Sequence, residues 1–65
     1  MQNNLKSIRK AAGLTLDELA IAIGSSKGHV WEMEQPESNP TLGTAYKVAS
    51  VLGKQVTDIW SDTTE

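Results

Sequence analysis

The stretch that decides the fold runs from residue 13 to residue 35 and has the sequence GLTLDELAIAIGSSKGHVWEMEQ. Thr15 and Glu18 stand three residues apart, which is the spacing of a capping box at the start of a helix. Gly24 ends that helix, because glycine accepts the positive φ of a helix C-terminus that a Cβ would oppose. The buried stripe between them consists of Leu19, Ala20 and Ile23.

A second helix follows after only a few residues. Ser26 is a favourable N-cap for it, and Val30 and Met33 share one side of a helix that turns about 100° per residue. Ala20 is small where the two helices must pass close to each other. A short connection with glycine at the corner is typical of a helix-turn-helix unit. The sequence therefore predicts two crossed helices packed through their apolar residues.

One helix is predicted before this unit. It ends at Gly13, and its apolar positions are Leu5, Ile8, Ala11 and Ala12. After the unit, residues 35–40 are predicted to form a loop, because neither Pro36 nor Pro40 fits a helix interior.

Two further helices complete an all-α, compact five-helix bundle, which we expect to be a single domain of residues 1–65. Helix four begins after a Thr41 cap and ends at Gly53. Its predicted inner face consists of Leu42, Ala45, Val48, Ala49 and Leu52. Thr57 is expected to cap a last short turn that contains Ile59 and Trp60. No strand is predicted, and residues 61–65 are expected to fray.

The composition excludes several classes of protein. With 65 residues, no cysteine and one histidine, the chain offers no disulfide, no thiolate chemistry and no paired acid–base constellation. It has no phosphate-cradling glycine loop and no apolar run long enough for a signal peptide or a membrane span. We therefore expect a cytoplasmic protein that is not an enzyme and that carries no metal and no cofactor.

The charge is distributed unevenly along the chain. The formal net charge of −2 and the pI near 5.2 disfavour an unspecific polyanion binder. Residues 1–27 carry four basic and two acidic side chains, whereas residues 28–65 carry two basic and six acidic ones. Because phosphate binding responds to the local field, a basic face beside an acidic one is compatible with nucleic-acid binding.

The ordered set of marks from Leu5 to Trp60 resembles the lambdoid phage repressor and Cro family. The marks are the Gly-Leu-Thr before helix two, the Leu-Ala within it, Glu34 at the end of helix three, the proline before helix four and the Ala-X-X-Leu-Gly at its end. The resemblance implies a five-helix DNA-binding domain that binds double-stranded operator DNA as a two-fold homodimer. It also implies a transcriptional repressor or Cro-like regulator of phage or prophage origin.

The outward side of helix three is the predicted DNA-reading surface, since Val30 and Met33 define its buried side. The resemblance places this surface in the major groove. Lys27 could donate to guanine and Glu32 could accept from cytosine, whereas an exposed lysine or glutamate could also be a simple surface charge. Trp31 contacts a thymine methyl or the sugar edge, or else packs onto helix two or the loop. Gly28 lets the backbone approach the bases.

Phosphate contacts are expected around the edges of this surface. Helix N-termini present amide groups and a partial positive charge to anions. The candidates are Thr15, Leu16, His29, Gln35, Asn39, Thr41, Thr44, Lys6 and Lys10. As an alternative to phosphate contacts, exposed lysines only increase solubility. His29 has no second metal ligand nearby, so no metal site is expected there.

Two departures from the family pattern lower the expected phosphate affinity. Many members have glutamine at the position of Leu16, where it contacts phosphate and steadies a base-reading residue, and leucine does neither. The loop after helix three is often basic in the family, whereas Pro36 to Asn39 contain one acid and no cation.

The resemblance also assigns two structural roles. Arg9 and Glu34 are expected to form a partly buried ion pair between helices one and three. Trp60 is expected to lie at the dimer interface, or alternatively to cover the core of its own subunit.

A further alternative for the whole chain is a protein-interaction module on the same fold, because the acids of helix three and its loop suit a protein antagonist such as an antirepressor or a toxin.

Overall fold

The computed structural model describes residues 2–61. Within that range the chain forms five helices and two short strands. In chain order they are β1 (Gln2–Asn3), α1 (Leu5–Ala11), α2 (Leu16–Ile23), α3 (Lys27–Met33), α4 (Leu42–Leu52), α5 (Val56–Ile59) and β2 (Trp60–Ser61). The predicted all-α bundle with a helix-turn-helix is confirmed. None of the helices in residues 2–61 is long and apolar enough to cross a bilayer.

Local capping signals define the helix-turn-helix unit. The Thr15 side chain accepts from the Glu18 amide, and the Glu18 side chain accepts from the Thr15 amide, so the predicted capping box is formed. Gly24 has φ 69°, and the Ser25 amide donates back to the Ala20 carbonyl at 2.8 Å. Ser26 caps α3 through the His29 amide. Three residues therefore turn the chain from α2 into α3.

One core connects the five helices. Each helix supplies one fully buried apolar side chain, and these are Leu5, Leu19, Val30, Val48 and Ile59. Each such residue contributes about 1.5–3 kcal/mol through its burial. α2 packs against both α3 and α4, and α4 packs against α5. The orientation of α3 is therefore fixed by its own buried side against α2.

The two strands correct the expectation of a purely helical chain. β1 and β2 pair antiparallel, with Asn3 opposite Trp60 and Gln2 opposite Ser61. Ser61 is therefore part of a strand and not of a frayed tail, while residues 62–65 lie outside the described range. Two-residue strands have no apolar alternation, which explains why the sequence pattern did not indicate them.

Four predicted positions on the helices are wrong. Leu42 is 68% exposed at the first residue of α4, whereas Ala45 and Val48 further along the helix are buried. Ala11 and Ala12 are exposed at the end of α1, whose inner side is occupied by Leu5 and Arg9 instead. Thr57 lies inside α5; this helix begins after Gln55, whose amide donates to the Asp58 carboxylate at 2.9 Å.

The corner glycine supports a first prediction. We expect Gly24→Ala to lower the free energy of unfolding by about 1–2 kcal/mol, because its left-handed φ opposes a Cβ. Apart from the two neighbouring residues, no atom of the described residues lies within 4 Å of the added Cβ, so the loss measures backbone conformation alone. Gly43→Ala inside α4 is the matched control and should gain up to about 1 kcal/mol. Urea unfolding that gave both variants the same sign would contradict this reasoning.

Candidate nucleic-acid interface

The exposed side of α3 presents the residues predicted to contact bases. Lys27, Gly28, Trp31 and Glu32 are exposed, and we call these four residues the reading face. Val30 is fully buried and Met33 is 3% exposed on the opposite side. Trp31 is 54% exposed, so it is not part of the buried core.

Helical spacing arranges the reading face in two rows. Lys27 and Trp31 are four residues apart, as are Gly28 and Glu32, so each pair is adjacent along the helix. A seven-residue helix is about 10 Å long, which suits a major groove about 12 Å wide. One row thus presents a cation and an aromatic ring, and the other presents bare backbone and a carboxylate.

The loop before α4 borders the reading face. His29, Glu32 and Met33 of α3 line a shallow depression of about 220 Å³ together with Ser38, Asn39 and Pro40. The predicted phosphate contact Asn39 is therefore close to Glu32 of the reading face, and it is exposed. Sequence spacing alone could not show this, since ten residues separate His29 from Asn39.

His29 is held at the edge of the reading face by its neighbours. Its Nδ1 atom lies 2.5 Å from the Ser25 hydroxyl, and its amide donates to the Ser26 hydroxyl at 3.1 Å. The ring is exposed. This arrangement leaves Nε2 as the ring nitrogen suited to a phosphate oxygen.

The start of α2 offers fewer donors than predicted. The capping box already uses the amides of Thr15 and Glu18. Leu16 and Asp17 therefore supply the remaining first-turn amides, and the Leu16 side chain packs against the core. Leu16 can act on phosphate only through its backbone, and Thr15 only through its side chain.

The start of α4 is also partly occupied. The Thr41 hydroxyl caps the Thr44 amide at 3.3 Å and donates to the Thr44 hydroxyl at 3.0 Å. Thr41 is exposed and Thr44 is half-buried. Both hydroxyls lie at the helix end that directly follows Asn39 and Pro40, two residues that line the depression beside Glu32.

The remaining predicted phosphate contacts are less well placed. Gln35 is half-buried, and its amide group donates to the Trp31 carbonyl at 3.0 Å instead of pointing outward. Lys6 and Lys10 are exposed on α1. Within residues 2–61 no hydrogen bond or ion pair connects either lysine to α3.

Arg9 and Glu34 form the expected ion pair. Arg9 Nε donates to Glu34 Oε2 at 2.5 Å, and the two side chains are only 7% and 4% exposed. The second arm is longer, with Arg9 Nη2 at 3.4 Å from Glu34 Oε1. Arg9 Nη1 also donates to the Leu14 carbonyl at 2.8 Å. The pair therefore joins the end of α3 to α1 and to the segment that leads into α2.

Asn3 is a residue of this site that the sequence analysis missed. Its Nδ2 group donates to the carbonyls of Met33 and Gln35 at 2.7 and 2.9 Å, and lies 3.2 Å from the Ser38 hydroxyl. Its Oδ1 atom accepts from the Leu5 amide. An asparagine just before a helix indicates a cap for that helix, and no local signal indicates a partner thirty residues away.

Trp60 covers the core of its own subunit. Its side chain is 7% exposed, so the expectation of an accessible Trp60 is wrong. Backbone pairing with Asn3 turns this residue inward. Its Nε1 atom is buried without a hydrogen-bond partner among the described residues. Trp60 forms part of the lining of a depression of about 260 Å³, which also includes the exposed Leu42, Pro40 and Val56.

α2 and α3 are joined by a tight turn, and Lys27, Gly28, Trp31 and Glu32 are exposed on α3. These features define a helix-turn-helix protein. Comparison with known families agrees: residues 5–59 match the helix-turn-helix family of the Cro and C1 repressor type, and the chain belongs to this family. The predicted family resemblance is thereby confirmed.

Similar proteins carry the same description. HTH-type transcriptional regulator SutR of Escherichia coli is 38% identical over 52 residues, which are 80% of this chain and 29% of SutR. The uncharacterized HTH-type transcriptional regulator MJ0272 of Methanocaldococcus jannaschii is 33% identical over 92% of this chain and 91% of its own length. The uncharacterized HTH-type transcriptional regulator y4dJ of Sinorhizobium fredii is 30% identical over 97% and 82%. The chain thus spans less than a third of SutR but most of the other two.

Proposed function

We propose that this chain is a sequence-specific regulator of transcription that binds double-stranded DNA by inserting α3 into the major groove. The observation that carries the proposal is the orientation of α3, with Val30 and Met33 in the core and Lys27, Trp31 and Glu32 exposed. Helices of this unit present such a side to base edges. Membership of the helix-turn-helix family and the names of its relatives support it.

Each member of the reading face has a distinct role in this proposal. Lys27 donates to O6 or N7 of a guanine, and Glu32 accepts from N4 of a cytosine. Trp31 contacts a thymine methyl with its ring. Apart from its chain neighbours and the backbone of its own helix, a Cβ added at Gly28 would meet no atom of the described residues within 4 Å, so the space beside this backbone is open and DNA can approach it closely.

Phosphate contacts place α3 in the groove without reading sequence. We assign them first to His29, Asn39 and Thr41, which lie around the reading face or at the start of α4. The Leu16 amide and the Thr15 and Thr44 hydroxyls supply polar groups at two helix starts. Weaker phosphate contacts are assigned to Lys6, Lys10 and Gln35. No described hydrogen bond or ion pair connects the two lysines to α3, and the Gln35 amide group donates to the Trp31 carbonyl of α3.

The proposal includes a two-fold homodimer that acts as a repressor or Cro-like switch. Leu42 is 68% exposed beside the depression lined by Pro40, Val56 and Trp60. A leucine next to an apolar depression is self-complementary, because each subunit can insert its leucine into the other. The dimer contact is thus assigned to Leu42, with Trp60 as the floor of the depression. A dimer bound across a promoter represses by excluding other proteins.

Selection of bound sequences from a random duplex pool tests the proposal. We expect a palindrome whose half-sites are about one helical turn, roughly 34–36 Å, apart. Sedimentation of the complex should show two chains per duplex, and Leu42→Glu should yield one chain with weaker binding. A pool that enriches no sequence would contradict the proposed function, and a single half-site bound by one chain would contradict the dimer.

The bare backbone of Gly28 provides a test in which folding and binding change in opposite directions. We expect Gly28→Ala to raise the free energy of unfolding by up to about 1 kcal/mol, because alanine favours the helix. The same methyl group should weaken binding to the selected operator, since it occupies the space between the α3 backbone and the bases. Thermal melting and fluorescence anisotropy measure the two effects. Unchanged operator affinity would remove Gly28 from the reading face.

A second candidate function is a protein-interaction module that uses the same face. The observation that favours it is the acidity of this surface, with Glu32 exposed on α3 and Glu37 exposed on the loop. A duplex titration at low salt distinguishes the two functions, because a protein-interaction module would bind no duplex. If the chain does bind DNA, Glu32→Gln shows which role the carboxylate has. If Glu32 accepts from cytosine, the variant loses preference for that base pair. If it is a surface charge that opposes DNA, the variant binds all duplexes more tightly at low salt.

A further inference from the structure

We infer that Asn3 is a positioning residue for the reading face, because its side chain fixes the C-terminal end of α3 relative to the β1–β2 sheet. This inference rests on the proposed function, since the role concerns how α3 is presented to DNA. Asn3 itself lies in β1 and contacts α3 only at its buried end.

The hydrogen bonds of Asn3 determine its orientation without ambiguity. The carbonyl groups of Met33 and Gln35 can only accept, so the group that lies 2.7 and 2.9 Å from them must be the amide nitrogen. The Leu5 amide can only donate, so its partner at 3.0 Å must be Oδ1. Both ends of the Asn3 amide are therefore satisfied, and neither aspartate nor leucine of similar shape can make the same set.

One of the two carbonyls that Asn3 contacts, that of Met33, belongs to the end of α3, where the helix leaves carbonyls without partners. The last four carbonyls of a helix have no acceptor role within it, and Met33 is the last residue of α3. Ser38 adds a second donor to the Met33 carbonyl at 2.7 Å and also lies within 3.2 Å of Asn3. The end of α3, the following loop and β1 are thus joined in one hydrogen-bonded group.

This group connects two functional regions of the molecule. Asn3 pairs with Trp60 in the sheet, and Trp60 lines the depression assigned to the dimer contact. The loop that Asn3 holds through Ser38 continues into Asn39, which borders the reading face. Loss of the Asn3 contacts should therefore let α3 and its loop shift while the core residues Val30 and Met33 remain packed.

Asn3→Asp is the decisive variant, because its carboxylate would face two carbonyl oxygens. We expect the ratio of operator to random-duplex affinity to fall about tenfold, since loosely supported contact residues lose productive geometry. Asn4→Asp is the matched control: it adds the same charge one residue away, and its only described side-chain bond is to the Asp58 carbonyl of α5. This control should leave the ratio unchanged.

The affinities are measured at a temperature where circular dichroism shows each variant fully folded. If Asn3→Asp does not fold, Asn3→Ala removes the same donor without adding charge and should lower the ratio in the same direction. A lower melting temperature with an unchanged ratio would overturn the inference while leaving the proposed function intact. If the wild-type chain itself shows no preference for any duplex, the proposed function and this inference both fail.

Discussion

Replacing Arg9 by alanine is expected to lower the free energy of unfolding by about 3–5 kcal/mol, because it leaves the Glu34 carboxylate buried without its partner. The two side chains are only 7% and 4% exposed, so water cannot replace the lost guanidinium. A domain of this size has a total stability of roughly 3–10 kcal/mol, so the variant should be largely unfolded at 37 °C. Urea unfolding followed by circular dichroism measures the change.

A double variant separates the loss of the pair from the penalty of a lone charge. Arg9→Met combined with Glu34→Leu removes both charges and fills much of the same volume, and such replacements are often neutral or stabilising. We expect this variant to be clearly more stable than Arg9→Ala, although the Leu14 carbonyl loses its donor as well. A single variant within about 1 kcal/mol of wild type would show that the pair is solvated and weak.

Replacing Lys27 by alanine is expected to have the largest effect on DNA binding. A base contact of this kind contributes about 1–3 kcal/mol of discrimination, which corresponds to a loss of about 5- to 150-fold in operator affinity. The loss should concentrate on one base pair of the half-site, so that the variant tolerates substitutions there that wild type rejects. Anisotropy titrations against single-position operator variants measure this pattern.

Lys54→Ala is the control variant for the loss of one positive charge. Lys54 is exposed and lines a different depression with Gln55 and Thr57, next to α5, so its removal should lower affinity slightly and equally for every duplex. If Lys27→Ala behaves like Lys54→Ala, with an equal loss on all sequences, then Lys27 contacts phosphate and does not read a base.

The parts of the fold that were predicted correctly are those with local signals. Thr15, Glu18, Gly24 and Ser26 each act within four residues along the chain, and all four have the predicted role. The inward side of α3 was also predicted, because Val30 and Met33 leave only one apolar side to bury. These local rules depend on neighbouring residues and require no knowledge of the rest of the molecule.

The errors concern what covers a residue. Periodicity indicates that Leu42 shares a side with Ala45, but only the tertiary structure shows that Ala45 is buried while Leu42 is exposed. Trp60 was expected at a dimer interface or, alternatively, over the core of its own subunit, and its burial and its pairing with Asn3 agree with the alternative. The position of Trp60 was therefore not determined from the sequence, because no local pattern shows that the end of the chain pairs with its beginning.

The candidate site was only partly predictable for the same reason. The four residues of the reading face follow from the spacing within α3. Asn39 lies beside His29, and Asn3 contacts the end of α3, through chain segments that are distant in sequence. The Gln35 side chain donates to the Trp31 carbonyl, which is one of several acceptors within its reach. Residue type and spacing do not determine such contacts.

The central claim is that the outer side of α3 meets the double helix, and an NMR titration of the ¹⁵N-labelled chain with duplex DNA at low salt tests it most directly. We predict that the largest amide shifts fall on residues 27–32, with smaller shifts at Leu16, Asn39 and Thr41. Shifts centred instead on the exposed Ile21, Tyr46 and Val51, or no shift at any residue, would contradict it.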